Sequence, residues 1–182
     1  VLIAKSVGSG RGASRQYVRQ YPESTLFGHP IGYSFAEQGN SEFEASHNDE
    51  LIGEGSEFTS ILDEIRGRKQ EGNNIRTNID SVAQQTAVDL LAGRPGAVIA
   101  MVPSTGEVKA MVSEPPYDPN TIPDDLGPLS NTPGSPLLDR ASQGQYPPGS
   151  TFKLVTATAA LDSGSVSADE LIDSPASLTI QG

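Results

Sequence analysis

The chain has 182 residues, a length that suits one ordinary domain or two small ones. It carries 12 Lys plus Arg against 23 Asp plus Glu, and a surface with this net charge of -11 repels phosphate backbones. We therefore predict no nucleic-acid partner and no polybasic membrane patch. Because the chain has no cysteine, disulfides and thiolate metal sites are excluded.

The first region, residues 1–78, mixes short β-like pieces with polar turns. Its clearest helical period covers residues 56–66, where Phe58, Ile61, Leu62 and Ile65 recur at i, i+3, i+4 and i+7. The acidic residues between positions 37 and 57 lack the ligand spacing of a calcium loop, so we expect a solvated face. The two histidines have no paired ligand spacing either, and we predict no metal and no cofactor.

A helix followed by a hairpin is predicted from about residue 79. Its apolar face consists of Ile79, Val82, Ala83, Thr86 and Leu90, and the Gly and Pro of residues 93–95 end it. The uninterrupted apolar run 97–102 predicts a strand buried on both faces. A turn at 103–106 and an alternating run from Val108 to Val112 complete an antiparallel hairpin. The order of elements predicts an α+β fold with an antiparallel sheet.

The next segment, residues 115–148, holds nine of the fourteen prolines and shows no sustained period. It predicts a long irregular connection, which in compact domains is often functional. A helix is predicted to follow from Ser150 to about Leu161, and its residues are apolar nearly all round. Such a helix belongs in the middle of a domain, so we expect it to be buried.

Ser150 and Lys153 form a Ser-x-x-Lys pair on one face of this last helix. The simplest role for Ser150 is a helix N-cap, a position that serine commonly takes. Lys153 is then the wrong charge for the first turn, at a cost of about 0.3–1 kcal/mol against the helix dipole. Burial and the dipole both disfavour its ammonium form, and a neutral amine could take the Ser150 proton. The residues alone leave an N-cap and an acyl-transfer nucleophile as two open interpretations of Ser150.

Three stretches resemble the start of the transpeptidase domain of class B penicillin-binding proteins, particularly actinobacterial ones. They are residues 96–113, residues 116–120, and residues 139–141 leading to residues 146–153. The resemblance covers roughly residues 72–163, and Asp139 stands where the family often has Asn, a change from which we expect little consequence. Upstream, residues 15–17 and 28–33 resemble the family's N-terminal pedestal, which is a β-rich region. The resemblance therefore implies a pedestal or dimerisation-like region at 1–78 and an incomplete transpeptidase domain at 79–182.

The resemblance to this family implies that the protein is a peptidoglycan D,D-transpeptidase, with Ser150 as nucleophile and Lys153 as general base. Its substrates would be stem peptides ending in D-Ala-D-Ala, and β-lactam antibiotics would acylate the same serine. The implied location is the extracytoplasmic face of the bacterial cell membrane, with an anchor that this chain does not contain. Cell-division or elongation membrane proteins are the implied protein partners.

Two motifs of the family do not follow Lys153 in this chain. They are Ser-x-Asn and Lys-Thr-Gly, and the Ser46-His47-Asn48 triplet precedes the nucleophile and is interpreted as coincidence. We therefore expect an N-terminal fragment with little or no activity alone. Two other classes stay open: a β-lactam sensor or β-lactamase-like acyl-serine protein, and a non-catalytic cell-division scaffold. The hairpin and the pedestal-like region disfavour the first class, and retention of both Ser150 and Lys153 disfavours the second.

Overall fold

The computed structural model describes residues 1–10, 16–53, 72–177 and 179. The helix predicted over residues 56–66 lies outside these described residues. The chain divides into two compact units, Val1–Gly144 and Gln145–Gly182, which are described separately below. No helix among the described residues is long and apolar enough to cross a bilayer.

Among its described residues, the beginning of the first unit contains two small antiparallel strand pairs and three short α-helices. Strands β1 (Lys5–Ser9) and β2 (Gln16–Gln20) pair antiparallel, as do β3 (Ser34–Phe35) and β4 (Gly39–Asn40). The helices are α1 (Gly28–Ile31), α2 (Glu42–Ser46) and α3 (Asn48–Ile52). Tyr21, Phe27 and Ile31 form a buried cluster, and Ile79 from the start of the next region packs against it.

The predicted helix and hairpin are both present. Helix α4 covers Ser81–Leu91, and the Asp80 side chain caps it by accepting hydrogen bonds from the N–H groups of Val82 (2.8 Å) and Ala83 (3.1 Å). Strands β5 (Gly96–Met101) and β6 (Val108–Glu114) pair antiparallel with Val98 opposite Val112. The observed mixture of helices and antiparallel strands agrees with the predicted α+β class.

The buried faces of these elements differ from the predicted ones. Val82 and Leu90 of the predicted apolar face are 73% and 70% exposed, whereas Gln84 and Ala87 are buried. The predicted face was therefore right only in part: Ala83 does pack against the core. The polar Gln84 also belongs to the buried face, because its amide is hydrogen-bonded there. Burial of β5 on both faces was also wrong, since Ile99 is 53% exposed. In the described chain β5 pairs only with β6, and α4 packs against one face of the pair.

Part of the predicted irregular connection is helical. A 3₁₀ turn at Pro119–Thr121 leads into α5, which covers Ile122–Ser130. Pro123 lies in the first turn of α5, where a backbone N–H would have no acceptor within the helix, so the lack of an N–H in proline costs nothing. Asp124 in the same turn adds a negative charge, which the positive end of the helix dipole favours. The proline count therefore misled the prediction, because a proline at this position starts a helix.

The second unit contains the predicted Ser-x-x-Lys helix. A 3₁₀ turn at Gly149–Thr151 runs into α6, which covers Phe152–Asp162. The prediction that this helix is buried was wrong for this chain, since Leu154 is 74% exposed and no α6 residue is buried. A helix that is apolar all round can be buried only by elements around it, and the described part of this unit adds turns but no second α-helix or strand.

Candidate active site

A tight turn presents Ser150 at the N-terminal end of the helix. Gly149 adopts a φ of 53°, a left-handed conformation that glycine accepts without a steric penalty. Thr151 then donates two hydrogen bonds to the Pro148 carbonyl, one from its N–H at 3.1 Å and one from its hydroxyl. Proline and glycine therefore fix the chain direction immediately before Ser150, and Thr151 fixes it immediately after.

The structure gives Ser150 no capping role. The N-cap positions of the 3₁₀ turn and of α6 are Pro148 and Thr151, and neither element has a side-chain capping hydrogen bond. The N-cap interpretation of Ser150 is therefore wrong. Lys153 lies in the first turn of α6, and both Ser150 and Lys153 are exposed in this chain. Burial of Lys153, which the sequence predicted, is not found.

The segment upstream of this turn is a rigid corner centred on Asp139. Asp139 is buried, and its carboxylate accepts hydrogen bonds from the Ala141 N–H at 2.9 Å and the Ser142 hydroxyl at 2.6 Å. The Gln143 N–H donates to the Asp139 carbonyl at 2.8 Å, which closes one helical turn. An Asn at this position could still accept from the Ala141 N–H through its Oδ1 and donate from its Nδ2 to the Ser142 hydroxyl oxygen, so either residue fits this corner.

The same corner is held on strand β6 and on the preceding loop. The Ser113 hydroxyl of β6 donates to the Leu138 carbonyl at 3.1 Å and accepts from the Arg140 N–H at 3.0 Å. The Arg140 guanidinium donates to the carbonyls of Gly134 at 2.6 Å and Ser135 at 3.2 Å. The sequence did not predict these hydrogen bonds. Its only indication of this corner was the resemblance of residues 139–141 to the family.

His29 connects the beginning of the chain to the end of β6. Its Nε2 lies 3.1 Å from the Pro115 carbonyl, and its ring meets the Tyr117 ring edge-on at a centroid distance of 5.1 Å. The Tyr117 hydroxyl donates to the Gly28 carbonyl at 3.1 Å. A Cβ on Gly28 would lie 2.5 Å from the Tyr117 carbonyl oxygen, so glycine is required for this close approach. Burial lowers the pKa of His29.

A second connection joins Asn120 to Tyr21. The Asn120 side chain accepts from the Tyr21 N–H and donates to the Tyr21 carbonyl, both at 2.9 Å. Two stretches that resembled separate regions of the family, 28–33 and 116–120, are thus parts of one packed unit. The bonded residues are 99 positions apart for Tyr21 and Asn120 and 86 apart for His29 and Pro115, so no local sequence pattern indicates these contacts.

Glu44 is an exception to the predicted solvated acidic face. It is buried, and its Oε1 accepts a hydrogen bond from Nε of Arg19 on β2 at 2.7 Å. This charge-assisted hydrogen bond compensates the buried carboxylate for the loss of its contacts with water. Within the described residues, no group of three His, Asp or Glu side chains is arranged to hold a metal ion.

Two family models match the chain in succession. Residues 1–75 match the penicillin binding protein A dimerisation domain, and residues 96–181 match the penicillin binding protein transpeptidase domain. The chain is 34% identical over 190 residues to the peptidoglycan D,D-transpeptidase PbpA of Mycolicibacterium smegmatis, an alignment that covers 96% of this chain and 38% of that protein. It is 41% identical over 111 residues to the peptidoglycan D,D-transpeptidase MrdA of Escherichia coli, covering 58% of this chain and 18% of that protein.

Solved structures agree with these relatives. The penicillin G acyl-enzyme complex of penicillin-binding protein A from M. tuberculosis superposes with a TM-score of 0.76 at 32% identity, over 89% of this chain and 40% of that one. The D,D-transpeptidase domain of a peptidoglycan glycosyltransferase from Eggerthella lenta gives a TM-score of 0.76 at 35% identity, over 97% of this chain and 38% of that one. The chain spans 38% of the length of the M. smegmatis PbpA and 38–40% of these two solved chains.

Proposed function

Since this chain belongs to the class B penicillin-binding proteins, we propose that its full-length protein is a peptidoglycan D,D-transpeptidase that works through an acyl-serine intermediate. Ser150 is the nucleophile and Lys153 its general base. The observation that carries this proposal is the Ser-x-x-Lys turn itself. Ser150 sits on a fixed turn without capping the helix, and Lys153 follows in the first helical turn.

The proposed reaction has two acyl-transfer steps. Ser150 Oγ attacks the penultimate D-Ala carbonyl while Lys153 Nζ takes the hydroxyl proton, and the collapse of the intermediate breaks the C–N bond. The proton passes to the departing amine of the terminal D-Ala. An amine of a second stem peptide then attacks the acyl-enzyme, and the proton it loses returns to Ser150 as the ester bond breaks.

The N-terminal end of the helix favours the charge that develops in this reaction. Backbone N–H groups at a helix N-terminus have no helical acceptor and carry a partial positive charge. The Ser150 N–H in the turn before α6 is a donor of this kind, suited to a negative oxygen on the substrate carbonyl. Attack on a β-lactam carbonyl also produces a negative oxygen that needs such a donor. The relative from M. tuberculosis was solved as an acyl-enzyme complex with penicillin G.

We also propose the setting of this activity. The substrates are stem peptides that end in D-Ala-D-Ala, and β-lactams are inhibitors. The site acts at the extracytoplasmic face of the cell membrane, and cell-division or elongation membrane proteins are its partners. The domain boundary is proposed near residue 78, between the stretches that match the two family models.

Labelling with a fluorescent penicillin tests the proposal. The full-length protein is expected to form a covalent adduct that is lost in Ser150→Ala and strongly slowed in Lys153→Ala. Ser163→Ala is the matched control, because Ser163 is the C-cap of the same helix and its hydroxyl is hydrogen-bonded locally, to the Ala160 carbonyl and the Ser165 hydroxyl. Labelling that persists in Ser150→Ala would disprove the nucleophile. Residues 1–182 expressed alone are expected to label little, since the Ser-x-Asn and Lys-Thr-Gly motifs do not follow Lys153.

A further inference from the structure

The turn that carries Ser150 is closed by Thr151. The Thr151 N–H donates to the Pro148 carbonyl at 3.1 Å, and the Thr151 hydroxyl donates to the same carbonyl oxygen. Ser150 lies between the donor and the acceptor of both bonds, and all three residues belong to the second compact unit. A change in this turn therefore moves the Ser150 N–H and the Ser150 hydroxyl directly.

Packing does not hold this turn in the part of the chain that the structure describes. Residues 148–151 are exposed, and a Cβ added at Gly149 would meet nothing within 4 Å. Gly149 itself adopts a φ of 53°, and glycine has more backbone freedom to lose than any other residue. The conformation of the turn therefore depends on its own hydrogen bonds.

The backbone hydrogen bond alone fixes this turn weakly. It joins a residue to the third one before it, as in a 3₁₀-helix, and such bonds have poorer geometry than those of an α-helix. Neither the 3₁₀ turn at Gly149–Thr151 nor α6 has a side-chain capping bond. Among the described residues, the Thr151 hydroxyl is thus the side chain that adds a second bond to this turn.

Threonine suits this position. Its branched Cβ restricts rotation about χ1, and in a helical backbone its hydroxyl can bond a carbonyl three or four residues earlier. Thr151 has helical backbone angles, and its hydroxyl uses the carbonyl three residues earlier. Because both partners lie within one turn, the same bond is available in the full-length protein.

We propose that Thr151 is a positioning residue for acylation, because its hydroxyl holds the turn that presents Ser150. The inference rests on the proposed function. Ser150 Oγ has to reach the substrate carbonyl while the Ser150 N–H faces the developing negative oxygen, so a small shift of the turn disturbs both. The Thr151 hydroxyl proton is already donated to Pro148 and is not offered to the ligand. Its loss should therefore slow acylation and leave the initial binding of penicillin nearly unchanged.

Two substitutions at this position in the full-length protein test the role. Thr151→Val keeps the branched shape and removes the hydroxyl. We expect its acylation rate constant at saturating penicillin to fall about tenfold, with the dissociation constant of the initial complex unchanged within about twofold. Thr151→Ser keeps a hydroxyl on a less restricted side chain and is expected to recover the rate constant to within about threefold of the wild type.

Thr156→Val is the matched control. The Thr156 hydroxyl also donates to an earlier carbonyl, that of Phe152 at 3.3 Å, but it lies inside α6, where the backbone hydrogen bonds of the helix already fix the chain. We expect its acylation rate constant to equal that of the wild type. Unfolding midpoints are measured for every variant, and the rates are compared well below them, so that loss of folded protein does not enter the comparison.

The outcomes separate this inference from the proposed function. Wild-type acylation in Thr151→Val, even with a lowered unfolding midpoint, would mean that the bond is merely structural and would overturn the inference. Equally slow acylation in Thr151→Ser and Thr151→Val, or an equal fall in Thr156→Val, would also overturn it, and all three results leave the proposed function intact. A wild-type protein that forms no adduct would overturn the proposed function and the inference with it.

Discussion

The two compact units differ in the sequence range of the hydrogen bonds that their side chains make. In Val1–Gly144, distant segments are joined by part-buried hydrogen bonds, as between His29 and Pro115 or between Asn120 and Tyr21. In Gln145–Gly182, the helix that carries the proposed nucleophile exposes Leu154 and Val155, and its hydrogen bonds are local. The first unit therefore depends on specific long-range contacts. The second depends on local turn and helix geometry, which explains why a short motif can be found in it from the sequence.

Gly28→Ala is expected to weaken the first unit most. The new Cβ would lie 2.5 Å from the Tyr117 carbonyl oxygen and 3.3 Å from Pro119, so backbone has to move. We expect a loss of about 3 kcal/mol in the free energy of unfolding, measured by urea denaturation. Gly127→Ala in α5 is the matched control, because a Cβ there meets nothing within 4 Å. A control loss as large as that of Gly28→Ala would contradict the steric explanation.

Gln84→Ala is the next largest expected effect. The Gln84 amide donates to the carbonyls of Leu26 at 2.9 Å and Met111 at 2.8 Å and accepts from the Met111 N–H at 2.8 Å. Removing it leaves buried backbone groups without these partners, and we expect a loss of about 2–3 kcal/mol in the free energy of unfolding. Gln85→Ala removes an exposed amide that bonds only Asp89 in the same helix, and should cost about 0.3 kcal/mol.

The sequence predicted those features whose cause is local. The end of α4 before residues 93–95, the alternation from Val108 to Val112, and the helix after Ser150 all depend on neighbouring residues, and the structure contains the corresponding elements. The burial of Gln84 could not be predicted, because the carbonyl groups that its amide binds belong to residues 27 and 58 positions away in the sequence. The hydrogen bond that Gln143 donates to Glu42 at 2.7 Å had no local signal either, since 101 residues separate the two side chains.

His29 provides a pH-dependent test of the first unit. Burial lowers its pKa from the ordinary 6.5, although the Pro115 carbonyl and Asp139 favour the proton and Arg140 opposes it. Below pH 6.5 the unfolded chain therefore binds a proton that the folded chain resists, and stability falls as the pH drops through that value. We expect His29→Gln to show a smaller loss of unfolding free energy than the wild type between pH 7.5 and about 5.5. Equal losses in the two proteins would exclude His29 as the cause.

Leu154→Ala should have the smallest effect in this chain and the most informative one. Because Leu154 is 74% exposed, its truncation in residues 1–182 should change the free energy of unfolding by less than about 0.5 kcal/mol. An α6 that is apolar all round favours burial, so in the full-length protein the same change should cost about 2–4 kcal/mol. Val112→Ala is the control, since Val112 is 3% exposed and should be costly in both proteins. If Leu154→Ala costs little in the full-length protein as well, α6 is exposed there too, and the contrast between the two units holds for the full-length protein.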